Sequence, residues 1–145
     1  MRKSIFFIVA LCAMVILGSF QLAGQDQKSR EMEVGTPMPE FVFNSDVHGE
    51  LSSADMKGEV VLMTFFATWC GPCQIMKPRI LDVAERIGDD AKVIQIDIDK
   101  EKELATRFRI QSVPTLIIFK NGKQQWRQSG VISAHALMQL LKEYQ

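Results

Sequence analysis

The sequence predicts an α/β sandwich built on a mixed β-sheet and preceded by a short β-hairpin. Three observations carry this. Val60 to Phe66 is an unbroken run of seven apolar or β-favouring residues, the pattern of a strand covered on both faces. A helical period follows it directly, and strand and helix patterns then alternate. Asn121-Gly122 separates two strand-like runs, which marks a tight antiparallel hairpin. The predicted order is β, β, β, α, β, α, β, β, α.

At 145 residues, with 47% hydrophobic and 23% charged side chains, the chain fits one globular domain behind a targeting segment. Arg2 and Lys3 precede Ile5 to Leu17, thirteen residues without a charge, and Ala23-Gly24 stands where polarity returns with Gln25-Asp26-Gln27. That order predicts a secretory signal peptide over residues 1–24. An uncleaved membrane anchor is the alternative, since the apolar stretch Ile5 to Phe20 has 16 residues, just short of the roughly 17 to 25 that span a bilayer. Cys12 reads as a small hydrophobe inside this segment, because Leu11 precedes it where a lipidation site would carry a small residue. Removing residues 1–24 takes away two basic and no acidic residues, leaving 15 basic against 17 acidic and a formal charge of −2. Such a balance gives no electrostatic footing for nucleic acid.

Gln25 to Glu33 is polar and charged without an apolar period, so residues 25–33 are expected to be a flexible lead-in and 34–145 the folded domain. Phe41 and Phe43 share one side of a short strand, and the turn residues from Ser45 to Glu50 lead to Leu51. After the central strand a helix is expected from about Cys70 to Ile87, with Ile75, Ile80, Leu81, Val83, Ala84 and Ile87 as its apolar face. Pro78 lies inside it and removes a backbone donor. Ala91 to Asp99 is the next strand, Glu101 to Arg107 a short helix, Thr115 to Lys120 a strand and Lys123 to Gln128 its antiparallel return. Ser133 caps a last helix with Leu137, Leu140 and Leu141 on its core side. Met56, Met63 and Met76 read as core, the charge run from Asp97 to Glu103 as a solvated strand end, and Trp126 as exposed on the edge hairpin.

The chemistry centres on Cys70 and Cys73, at the start of the long helix. A zinc site needs about four ligands and this pair supplies half; His48 and His135 stand apart in different elements, so no metal is expected. Residue 74 is Gln, where a haem attachment would carry His. A purely structural bridge would close too short a loop to restrict the unfolded chain much. A redox pair fits the position, because unpaired backbone N–H groups and the helix dipole favour thiolate over thiol there. Cys70 is the expected nucleophile. Cys73, one turn further in, is expected to be the more buried sulfur and to resolve the mixed disulfide formed at Cys70. Gly71 lets a substrate backbone approach closely, and Pro72 at the first helical position loses no hydrogen bond.

These residues resemble the thioredoxin family. Trp69-Cys70-Gly71-Pro72-Cys73 is similar to the family's active-site sequence, and Val113-Pro114-Thr115 resembles its cis-proline segment, with Pro114 41 positions after Cys73. Phe119 to Lys123 looks like its β-hairpin, Gly130 like the glycine of its substrate-facing patch, and Pro78 like its helix kink. The likeness runs from about Val34 to Tyr144. It implies a thioredoxin fold with helices on both faces of the sheet, the N-terminal hairpin being an addition, and no cofactor beyond a Cys70–Cys73 disulfide. It also implies that Trp69 walls the substrate surface, that Pro114 is cis and packs on the disulfide, and that the Val113 backbone pairs with an extended substrate segment. Thr64 stands where many relatives carry a buried aspartate that moves the resolving cysteine's proton, and Gln95 where a lysine often accompanies it. A water held by Thr64 is expected to do that work. The segment from Val34 to Cys73 looks more like exported TlpA-like thiol reductases and peroxiredoxin relatives, although the spacing to Pro114 leaves no room for the usual TlpA-like insertion.

The combined expectation is an exported thiol-disulfide oxidoreductase, a monomer in the bacterial periplasm, that reduces disulfides in other proteins. Gly71-Pro72 between the cysteines resembles reducing thioredoxins. Because the periplasm is kept oxidising, a membrane protein is expected to supply electrons, docking around Trp69, Gly71, Val113 and Gly130. Two other classes stay open. A thiol peroxidase would carry a proline ahead of its attacking cysteine, and none lies between Gly58 and Cys70; a non-catalytic binding or chaperone module would use the same face without chemistry.

Overall fold

The computed structural model describes residues 31–45 and 49–145. The signal peptide expected over 1–24, the start of the lead-in and His48 lie outside the described residues. The described strands and α-helices are β1 (Val42–Ser45), β2 (Gly49–Ser52), β3 (Val60–Phe66), α1 (Gly71–Ile87), β4 (Lys92–Asp97), α2 (Lys102–Arg107), β5 (Thr115–Lys120), β6 (Lys123–Ser129) and α3 (Ala134–Glu143). Their order is the one the sequence predicts. β1 and β2 form an antiparallel hairpin, and the main sheet runs β4-β3-β5-β6, with β3 parallel to β4 and antiparallel to β5.

Successive strand residues point to opposite faces, so β3 feeds two cores. Val61, Met63 and Phe65 enter one, and Val60 and Leu62 the other. Neither side reaches water, which is why the run shows no alternation. The first core is closed by Phe41, Phe43 and Leu51 from the N-terminal hairpin region and by Leu104 and Phe108 at α2. The Phe108 ring lies 5.2 to 5.9 Å from those of Phe65, Phe41 and Phe119. The second core is closed by Met76, Ile80, Val83 and Ile87 of α1 and by Leu137, Met138 and Leu141 of α3. Helices therefore cover both faces of the sheet, as the resemblance implies. Asn121 and Gly122 both have positive φ, 52° and 71°, the geometry of the expected hairpin turn. Ser133 caps α3 by accepting from the Ala136 N–H at 3.2 Å.

Four expectations need correction. The apolar face of α1 is turned: Ile75 and Leu81 are each 53% exposed, whereas Met76 is 1% exposed. The helix starts at Gly71 with Cys70 as its cap, and from that start Cys73, Met76, Ile80, Val83 and Ile87 repeat every three or four residues in one stripe that excludes Ile75 and Leu81. β4 ends at Asp97 rather than Asp99. Trp126 is partly buried against the α1–α3 core rather than standing exposed. Met32, inside the expected lead-in, is buried, and its carbonyl accepts from Gln124 Nε2 at 2.7 Å. Gly35 and Met38 donate their N–H groups to the carbonyls of Gln124 and Gly122 at 2.7 and 2.8 Å. The chain from Met32 to Met38 thus covers the outer edge of β6, whose ladder groups would otherwise be unpaired. It docks through its backbone and two methionines, Met32 buried and Met38 partly buried against the same core, which its polar composition hides.

Arg127 secures the same edge. Its side chain is 6% exposed, and it donates to the Phe108 and Arg109 carbonyls at 3.0 Å each, with the Glu31 carboxylate 3.8 Å away. Burial pushes its pKa down and Glu31 opposes that shift. The turned helix face is testable by urea unfolding. Met76→Ala is expected to lower stability by about 2 to 5 kcal/mol, and Ile75→Ala by less than about 0.5 kcal/mol; equal losses would put Ile75 in the core.

Candidate active site

Cys70 ends the loop after β3 and caps α1 with an extended backbone, φ −83° and ψ 110°. Its sulfur accepts a hydrogen bond from the Cys73 N–H at 3.2 Å, the place a Ser or Asp oxygen fills in most helices. Pro72 is the second helical residue rather than the first, still among the positions whose N–H has no partner within the helix. Cys70 and Cys73 are joined by a disulfide, with their Cα atoms 5.2 Å apart.

Both cysteines are 5% exposed, so Cys73 is no deeper than Cys70. Phe66, Ala67, Ile98 and Val113 pack around the pair as a unit. The Val113–Pro114 bond is cis. The Val113 carbonyl oxygen lies 3.6 Å from Cys70 Sγ; the sulfur of a disulfide carries no proton, so this is a packing contact. Gly130, at φ 94°, donates its N–H to the Pro114 carbonyl at 2.8 Å, tying the end of β6 to the cis-proline turn. A Cβ placed on Gly71 would meet nothing within 4 Å, so the surface beside the disulfide is open there.

Trp69 is 69% exposed, and its indole Nε1–H donates to Asp99 Oδ2 at 2.8 Å. Sequence reasoning missed Asp99, reading it as one of a solvated run; its partner is thirty positions away, and no local pattern links them. Ile75 and Val131 are the other exposed apolar side chains next to site residues, at 53% and 42%. The structure thus gathers Trp69, Gly71, Pro72, Val113, Pro114 and Gly130 around the cysteine pair.

Behind Cys73 lies a cavity of about 170 Å³, lined by Thr64, Met76, Lys77, Gln95 and Pro114 among others. Thr64 and Gln95 are direct partners in the β3–β4 register. Thr64 is 2% exposed, and its Oγ1 has no hydrogen-bond partner among the described residues. Also among the described residues, no group of three or more His, Cys, Asp and Glu gathers as metal ligands do, and no helix is long and apolar enough to cross a membrane.

A cysteine pair that closes into a disulfide on a helix N-terminus, under a cis-proline, is the chemistry of thiol-disulfide exchange, and it sits here on the mixed sheet that houses it in a large class of such proteins. The chain belongs to the thioredoxin family, whose model matches residues 39–143. It is 46% identical over 82 residues to chloroplastic thioredoxin Y of Oryza sativa subsp. japonica, covering 57% of this chain and 49% of that protein. Against the thioredoxin of Bacillus subtilis it is 34% identical over 92 residues, covering 63% and 88%. The chain spans about half the length of the thioredoxin Y proteins it matches. A variant thioredoxin of Halobacterium salinarum superposes with a TM-score of 0.56 at 39% identity, covering 60% of this chain and 75% of that one. The exposed lipoprotein thioredoxin of Streptococcus pneumoniae superposes at 0.65 over 72% of this chain and 99% of that one; at 22% identity the likeness is one of fold.

The capped sulfur gives a direct expectation. In reduced Cys73→Ser protein, the rate of Cys70 alkylation by iodoacetamide should reach half its maximum at a pH below the roughly 8.5 of free cysteine. A midpoint at or above that value would remove the helix terminus from the activation of Cys70.

Proposed function

We propose that this chain is an exported thiol-disulfide oxidoreductase that works as a monomer and reduces disulfides in other proteins. The observation that carries the proposal is the Cys70–Cys73 disulfide at the start of α1, with the Val113 carbonyl 3.6 Å from Cys70 Sγ. A peptide paired in extended form with Val113 is delivered beside the attacking sulfur, and Trp69, Ile75 and Val131 offer it an apolar rim. In the reduced protein, the Cys70 thiolate attacks one sulfur of a partner disulfide, and the other partner sulfur leaves with the bonding pair and takes up a proton. Cys73 then loses its proton and attacks Cys70 Sγ. The partner's remaining sulfur leaves in the same way, and the Cys70–Cys73 bond closes. Two electrons pass to the partner for each closure, and no further cofactor is needed. With Cα atoms 5.2 Å apart, the second attack is intramolecular and fast relative to release by an external thiol.

Reduction rather than oxidation is favoured by Gly71-Pro72 between the cysteines. Export to the bacterial periplasm, with membrane attachment if the segment is retained, is supported by the basic, apolar and small-residue order of residues 1–24. In that compartment the reduced form must be regenerated by a dedicated donor, best supplied by a membrane dithiol protein that brings electrons from the cytoplasm.

The full chain carrying Cys73→Ser is expected to accumulate mixed disulfides with exported proteins that dithiothreitol releases, and Cys70→Ser to form none and to lose reduction of insulin disulfides. Full cellular function of Cys70→Ser would replace the enzyme by a binding module. Peroxide consumption without a protein partner would make it a peroxidase. A chain found fully oxidised in cells with the donor intact would reverse the direction to oxidation.

A further inference from the structure

We propose that Lys77 is a positioning residue of the resolving step: from the solvent side of the cavity behind Cys73 its ammonium group stabilises the Cys73 thiolate, while the thiol's proton leaves through ordered water anchored on Thr64 and Gln95. The proposal rests on thiol-disulfide exchange at Cys70 and concerns how the second cysteine is activated.

Cys73 needs such help. It is 5% exposed, and burial disfavours a thiolate. The polar end of α1 serves the other sulfur, since the Cys73 N–H points to Cys70 Sγ. What faces Cys73 is the cavity of about 170 Å³, room for several waters at about 30 Å³ each. A water also needs two or more polar partners, and one wall supplies them. Thr64 Oγ1 is buried without a partner, Gln95 stands beside it in the strand register, and the side chains of Gln95 and Lys77 make no hydrogen bond or ion pair among the described residues. A deeply buried hydroxyl without a partner is rare unless water satisfies it.

Charge enters the cavity lining at one place. Lys77 is the sole charged side chain lining it, and Cys73 the sole other titratable one. β3 and the cis-proline turn contribute neutral residues to the wall. The acids that follow Gln95 are engaged elsewhere: Asp97 Oδ1 accepts from the Asp99 N–H, and Asp99 Oδ2 from the Trp69 indole. Lys77 is itself exposed, so it sits where the cavity meets solvent. In the step itself, the Cys73 S–H bond breaks and its proton passes to cavity water and on to bulk water. The sulfur's electron pair forms the bond to Cys70 Sγ, and the bond from Cys70 Sγ to the partner sulfur breaks. The partner sulfur leaves with that pair and takes a proton from solvent. Lys77 acts through its charge and transfers no proton.

The test is a titration of Cys73 in the full chain with Cys12→Ala and Cys70→Ser, which leaves Cys73 as the one thiol, read by ultraviolet thiolate absorbance. Adding Lys77→Gln is expected to raise the midpoint by about 0.5 to 1 pH unit, and Lys77→Arg to keep it within about 0.2 units of the parent. The Lys77→Gln effect should shrink as salt is added, because the group is exposed. Thr64→Val is expected to raise the midpoint as well, with Thr64→Ser holding it near the parent. An unchanged midpoint in Lys77→Gln, or in folded Thr64→Val, overturns the proposal. Lys77→Gln, altering an exposed side chain, keeps the test decisive should Thr64→Val not fold. The titration needs no partner, so failure to trap client disulfides would count against exchange alone, and unchanged midpoints against this proposal alone.

Discussion

Strand β3 is wedged between two apolar cores, and its pairing register decides where every reactive group arrives. Its buried side chains each contribute about 1.5 to 3 kcal/mol, and a slip of one residue would turn both sets inside out. The strand is therefore held in one register. Phe65 pairs with Thr115 and Thr115 with Ser129, so the residues just outside those pairs meet at one end of the sheet. They are the loop leading to Cys70, the cis-proline turn and Gly130. Segments dozens of positions apart in sequence are thus brought together by the register of one sheet.

The two cysteines that this brings together are equally buried yet unequally served. Cys70 takes a backbone N–H as helix cap, and it lies against the Val113 carbonyl, next to the open surface at Gly71. Cys73 turns toward a cavity whose polar wall is a threonine, a glutamine and a lysine. The two cysteines therefore differ in hydrogen-bond partners rather than in depth. Trp69, fixed through Asp99, leaves a broad apolar plate beside the first of them.

Much of this was legible in the sequence because it is written locally. The unbroken run of β3, the Asn121-Gly122 turn, the Ser133 cap and the Cys70 to Cys73 spacing each sit within a few residues and have one physical reading. The cis bond at Pro114 came from likeness to a family rather than from local pattern. What stayed hidden depends on contacts across the chain. Ile75 and Leu81 are as apolar as Met76, and which of them faces inward is decided by packing against the sheet and α3 rather than by composition. Asp99 looks like any solvated acid until Trp69 is folded over it. Lys77 looks like an ordinary surface lysine until β4 brings Gln95 to the same cavity. The docking of Met32 was invisible for a different reason, since backbone pairing with a strand edge leaves no mark on side-chain pattern.

That docking moves the start of the folding unit upstream. Gln124, 1% exposed, donates to a carbonyl that belongs to Met32, and Arg127 faces a carboxylate that belongs to Glu31. A chain trimmed back to Val34 would lack a core methionine and leave a buried amide donor without its acceptor, a loss of about 1 to 3 kcal/mol for the amide alone. A leader peptidase cutting after Gly24 would leave six residues, Gln25 to Arg30, before Glu31, whose carboxylate faces Arg127. The mature terminus therefore has to lie ahead of Glu31 if the edge of β6 is to keep its cover.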